Sequence, residues 1–192
     1  VVGGDFTSAG GMARSYLARL ATDGGGDSAF NPAPNAAIHA LLLLEDGSLL
    51  VAGEFTAIGG QGQGYLARLD STGALDPTFA PTLNGAVYAL ALQRDGAIVI
   101  GGAFTAVDGQ PRRHIARLGS DGQIDAGFAP EANATVRALA IGFGDAIIVG
   151  GDFTQIGGVA RMRFALLGIG GAPAAATPAF DGAVHALLVQ PD

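Results

Sequence analysis

The 192-residue sequence has no cysteine and no lysine, and its few ionisable residues include only three histidines. Without cysteine, neither a disulfide nor a thiolate metal site can form. That absence is neutral on compartment, since a large apolar core needs no covalent staples. Ten arginines stand against seventeen acidic residues, for a net charge of −7. Such a balance lacks the basic footprint that nucleic acid or an anionic membrane surface requires. Long apolar runs are missing too: stretches such as residues 37–44 are too short to span a bilayer. No Gly-x-Ser-x-Gly elbow, phosphate loop, His-Glu-x-x-His or Ser-His-Asp arrangement is visible. The expectation is a non-enzyme. The chain opens on Val1 with neither methionine nor signal peptide and reads as a mature or excised segment.

What is abundant is glycine, 32 residues of it, in a chain that is 49% hydrophobic. The glycines are not scattered. Gly3-Gly4-Asp5-Phe6-Thr7 returns as Ala52-Gly53-Glu54-Phe55-Thr56, Gly101-Gly102-Ala103-Phe104-Thr105 and Gly150-Gly151-Asp152-Phe153-Thr154. Phe6, Phe55, Phe104 and Phe153 are each 49 residues apart, and a fixed period of this size marks a repeat architecture. The repeats run over about 1–35, 36–84, 85–133 and 134–182 within a single domain of 1–192.

Each repeat reads as four short antiparallel strands. In the third, residues 85–93 form the first, and Arg94-Asp95-Gly96 is a hairpin signal for a type I′ turn. Residues 97–105 form the second, with a glycine pair where another backbone comes close. His114–Gly119 is the third and Gln123–Phe128 the fourth. Four strands in about 49 residues is one β-propeller blade, so the expected fold is an all-β propeller of four repeats. Two forms remain open, a closed four-bladed ring and a segment of a larger array. Along the first strand Tyr88, Leu90 and Leu92 alternate with Val87, Ala89 and Ala91, so both faces are expected to be covered. Phe30, Phe79, Phe128 and Phe180 close the fourth strands, and with Phe6, Phe55, Phe104 and Phe153 they are expected to form the repeat core. Residues 183–192 read as a first strand lacking its second, and Val1-Val2-Gly3-Gly4 as a second strand lacking its first. Pairing of 183–192 with 1–7 would close a ring; otherwise both edges are open to strand addition.

The segments GGAFTAVDGQPRRHIARLGSDGQIDAGF and VYALALQRDGAIVIGG resemble the delta-60 repeat, and the resemblance extends over all four units. It implies a β-propeller, many tandem copies, and secreted or surface-associated bacterial proteins. It brings no catalytic residues. The fourth unit departs from the pattern. Ala-Arg-Leu, with Arg19, Arg68 and Arg117, becomes Ala165-Leu166-Leu167, and Asp27, Asp76 and Asp125 have no counterpart. Arginine and aspartate vanish together, so they are expected to pair across the third and fourth strands as structural ion pairs.

The candidate chemistry is sparse. His39, Tyr88, Arg137 and His185 hold the same place in successive first strands. They read as an axial polar ring or, alternatively, as polar caps near one rim. Two imidazoles fall short of the three or four ligands a good metal site needs, so no metal is expected. Asp5, Glu54 and Asp152 recur beside the glycine pair, with Ala103 breaking the set. Calcium through oxygen ligands is the alternative to no cofactor at all. Arg112, Arg113, Arg161 and Arg163 lie in loops, where a solvated rim competes with an anionic partner. Asn133-Ala134-Thr135 is a glycosylation sequon. The functional expectation is an extracellular or cell-surface scaffold that self-associates or binds another protein. The alternative is a module presenting loops to a carbohydrate or protein ligand. Neither nucleic-acid binding nor membrane insertion is expected.

Overall fold

Valine, isoleucine and leucine fill the runs between the glycine-bearing turns, and in the computed structural model, which describes residues 1–190, these runs form strands. Contacts divide the chain into two compact units, Val1–Thr82 and Leu83 onward, where the sequence reads as one domain. The division falls beside a repeat boundary, which suits an array whose repeats contact mainly their neighbours. In the first unit β1 (Val2–Gly3) pairs with β2 (Leu17–Ala18). The next sheet has the order β3 (Ile38–Leu43), β4 (Leu49–Gly53), β5 (Leu66–Leu69). The second unit holds two like sheets. One is β6 (Val87–Leu92), β7 (Ile98–Gly102) and β8 (Ile115–Leu118); the other is β9 (Val136–Ile141), β10 (Ile147–Gly151) and β11 (Phe164–Leu167). All pairings are antiparallel with the second strand central. Among the described residues, no helix is long and apolar enough to cross a membrane.

The expected fourth strand is reduced to a single bridge, Leu118 opposite Ile124 in the third repeat. The chain turns away at once, because Asp125 spends its carboxylate on the Gly127 N–H and its carbonyl on the Phe128 N–H. The hairpin turn also differs from expectation. Gly96 has φ of 84° while Asp95 does not enter the left-handed region, and the Gly96 N–H bonds the Gln93 carbonyl. This is a type I turn with a glycine bulge. Asp95 stays right-handed because its Oδ1 accepts from the Ala97 N–H.

The first strand is covered unequally. Val87, Ala89 and Ala91 are buried, whereas Tyr88, Leu90 and Leu92 are half-buried, so the two-sided burial expected from the sequence holds for the small-residue face alone. A bulge falls between Val87 and Ala89, and likewise between Ile38 and Ala40 and between Val136 and Ala138. Opposite each bulge, Gly53, Gly102 and Gly151 leave no room for a Cβ, which would stand 2.1, 2.1 and 2.3 Å from the carbonyl oxygens of Ala37, Ala86 and Thr135.

Phe55, Phe104 and Phe153 are fully buried, as are Phe30, Phe79 and Phe128. Two of the expected core aromatics are not. Phe6 is half-buried, whereas Phe55 is enclosed with Leu17 and Phe30 of the repeat before it. Phe180 is 45% exposed and meets Phe164 edge-on, with ring centroids 5.7 Å apart. It lies three residues out of the 49-residue period and lacks the arginine that lies over its counterparts.

Candidate functional site

The third-strand arginine is the most heavily used side chain of the repeat. Arg19, Arg68 and Arg117 contact Asp27, Asp76 and Asp125 at 2.8, 2.8 and 2.7 Å. Each guanidinium also lies over a ring, Phe30, Phe79 or Phe128, with Cζ 4.6–4.9 Å from the centroid. Arg19 donates to the Ser71 carbonyl and Arg117 to that of Ile169, both in the turn one repeat onward. Turn glycines of the next repeat close the stack: a Cβ at Gly73 would meet Phe30 at 2.9 Å, and one at Gly171 would meet Phe128 at 3.1 Å. The ring contact is the part the sequence reading missed. Its signal was the parallel loss of arginine, aspartate and regular phenylalanine spacing in the fourth repeat.

At the bulged end of the blade, the first-strand residue meets the acid that follows the glycine pair. His39 Nε2 lies 3.2 Å from Glu54, and Arg137 bonds Asp152 through Nε at 2.8 Å and Nη2 at 2.6 Å. In the third repeat the two positions are Tyr88 and Ala103, so base and acid are lost together. Tyr88 lies instead beneath Arg137, 5.9 Å from Cζ to the ring centroid. The calcium candidates Glu54 and Asp152 are thus partners of the first-strand residues His39 and Arg137, and among the described residues no group of three potential ligands converges. His185 follows Val184, which packs on Gly150 as Val136 packs on Gly101.

A second feature of this end is strained backbone. Tyr16, Tyr65, His114 and Arg163, again one per repeat, have φ of 66–68°. Each gives its N–H to the carbonyl of the core phenylalanine and its carbonyl to the second glycine of the pair, as His114 does to Phe104 and Gly102. His114 is held below the usual imidazole range, chiefly by burial.

The loops carry two further repeated devices. Asn35, Asn84 and Asn133 each accept two backbone N–H groups with Oδ1 and donate through Nδ2 to Thr56, Thr105 and Thr154. Asn133 therefore has a structural role shared with two asparagines outside any sequon. Arg112 and Arg161 bind carbonyls, including those of Ala126 and Ala174, rather than presenting a charged rim. Grooves of about 470 and 310 Å³ recur beside Arg68 and Arg117. In the larger, Asp46, Asp70 and Asp76 are held below the usual carboxylate range, each first by a hydroxyl, of Ser48, Thr72 and Thr78. Their Oδ1 atoms are committed to turns.

No curated protein matches the chain. A family model does, described as "Domain of unknown function (DUF5122) beta-propeller", over residues 1–30, 44–79 and 93–128. These segments span three repeats and more than half of the sequence, each ending at the Phe30, Phe79 or Phe128 that an arginine covers; the chain belongs to the DUF5122 beta-propeller family.

Proposed function

We propose that this chain is a non-enzymatic, extracellular scaffold of delta-60-type repeats that associates end to end, as a structural or surface-filament component of a bacterial cell. The observation that carries this reading is a pair of half-made junctions. At two junctions a glycine turn seats on the phenylalanine of the preceding repeat, Gly73 on Phe30 and Gly171 on Phe128. Among the described residues, Phe180 has no such cover and is 45% exposed, and none lies within 4 Å of a Cβ position at Gly24, the first repeat's equivalent turn. β1 has a third-strand partner but sits in a two-stranded sheet, and the 184–189 segment has a first-strand sequence with Leu188 87% exposed. Pro191 and Asp192, the tip of the segment expected to pair with residues 1–7, lie outside the described residues. Phe143, 97% exposed at a hairpin tip, adds apolar surface suited to a protein partner.

A binding module is the second reading. It is favoured by a groove of about 530 Å³ lined by Asn31, Gln61 and Gln63, whose amides suit a glycan. Light scattering with electron microscopy of the purified chain decides between the two. Fibres or large oligomers that Phe180→Asp disperses support end-to-end association. A compact 19.0 kDa particle would mean that the four repeats satisfy their own edges, and that reading would fall.

A further inference from the structure

Backbone strain gives the strongest lead. A left-handed φ is cheap for glycine or asparagine and costly for a bulky residue. This chain has 32 glycines, yet it places tyrosine, tyrosine, histidine and arginine at the left-handed position of its four repeats. The invariant framework thus carries a variable position, and beside it lies a second one: His39, Tyr88 and Arg137 all fall at bulges. Bulges re-aim side chains and favour the edges of binding sites. In the fourth repeat both positions are arginine. Arg137 bonds the Asp152 carboxylate, Arg163 Nη1 bonds the Asp152 carbonyl, and the Arg163 Nε is buried with no partner among the described residues. Asp152 thus engages both arginines, Arg137 through its carboxylate and Arg163 through its main-chain carbonyl, and a single carboxylate cannot neutralise two guanidiniums. The backbone of Val184 bonds Gly151 and brings exposed His185 to the same end. Arg137, Arg163 and His185 all act to lower the Asp152 carboxyl.

We propose that Arg137, Arg163 and His185, flanked by Tyr88, form an oxyanion-binding site that takes a phosphate or carboxylate group. Guanidinium forks suit such planar or tetrahedral oxyanions, and the second arginine supplies the charge that Asp152 leaves free. Strain at Arg163 is then retained because the side chain is needed there.

The test is thermal unfolding of the full chain in sodium phosphate and in sodium glucuronate, each against sodium chloride at matched ionic strength. Phosphate at ten times its Kd is expected to raise Tm by roughly 3–6 °C. A shift with glucuronate alone assigns the site to carboxylates. Arg137→Ala and Arg163→Gly are expected to abolish the shift, and Arg14→Ala, at a first-repeat arginine that donates to the Ser28 carbonyl, to leave it intact. Without anion, Arg163→Gly is expected to melt higher than the parent, since glycine relieves the positive φ. No anion-specific shift in the parent chain, or one that survives both substitutions, overturns the proposal. So does an Arg163→Gly variant that melts lower, because the arginine would then be structural. The readout does not depend on end-to-end association.

Discussion

Arg117 lies over the ring of Phe128, 4.6 Å from Cζ to its centroid, while Nε holds Asp125 at 2.8 Å. One side chain thereby ties the third strand to the chain after it and, through the Ile169 carbonyl, to the following repeat. The Arg117 side chain is only 15% exposed, so its contacts are less screened than those of a surface pair. Replacing it with leucine, the residue the fourth repeat has at 166, removes the ring contact and orphans Asp125. Arg117→Leu is expected to cost roughly 1–3 kcal/mol, measured by chemical denaturation. Arg19→Leu, at a side chain 34% exposed, should cost less. Arg117→Lys should recover only part, because an ammonium has no planar face to stack.

The pH dependence follows from the same pairs. Asp125 is held below the usual carboxylate range first by its hydrogen bond from Arg117, and Asp152 by that from Arg137. A depressed carboxyl contributes fully above its unfolded value near ~3.9 and loses that contribution as pH falls through the lower folded value. His114 is also depressed, by burial, so the unfolded chain takes up its proton first, and stability begins to fall as pH drops below about 6.5. Tm is therefore expected to decline slightly between pH 6.5 and 5 and steeply below pH 4. His114→Asn should remove the first decline. Asp125→Asn and Asp152→Asn should soften the second by amounts on the order of 1 kcal/mol each, since both carboxylates are partly solvated.

The sequence exposes the period, the central strands and the arginine–aspartate pairing because each depends on residue identity at a fixed spacing. It hides the fourth strand's loss, because Gln123–Phe128 has a strand-like composition while the Asp125 carboxylate turns the backbone. The left-handed position is hidden for a sharper reason. Tyr65, His114 and Arg163 carry no glycine signal, and their positive φ comes with two main-chain bonds to one stretch, the phenylalanine carbonyl and the N–H of the second glycine of the pair. The partnership of Arg137 with Asp152 was legible in principle, since His39 and Glu54 repeat the same fifteen-residue offset.

The asparagine clasp yields a third prediction. Asn84 Oδ1 accepts the N–H groups of Thr105 and Ala106 at 2.8 and 3.0 Å, and Nδ2 donates to the Thr105 hydroxyl at 2.8 Å. Asn84→Ala leaves both N–H groups without this acceptor and is expected to cost roughly 1–2 kcal/mol. Asn84→Asp keeps the acceptor, and the Thr105 hydroxyl can rotate to donate to it, so near-parental stability is expected in the same assay. Equal losses in the two variants would mean that the amide donor, rather than the acceptor, holds the loop.

The two glycines of each pair answer to different neighbours and should respond differently to a methyl group. A Cβ at Gly102 would stand 2.1 Å from the Ala86 carbonyl oxygen, which is main chain and fixed by its bond from the Ala103 N–H. A Cβ at Gly101 would stand 2.5 Å from Cγ1 of Val136, the end of a side chain in the next repeat. The second repeat already carries Ala52 at the first position but keeps Gly53 at the second. Gly102→Ala is therefore expected to cost roughly 3 kcal/mol or more, since the strand must move. Gly101→Ala should cost about 1–2 kcal/mol, as overpacking does where a side chain can yield. In Gly101→Ala combined with Val136→Ala, the lost methyls make room for the new one, so the pair should be more stable than the sum of its parts. Strict additivity, measured by denaturant unfolding, would show that Gly101 is held by its own backbone rather than by packing against the following repeat.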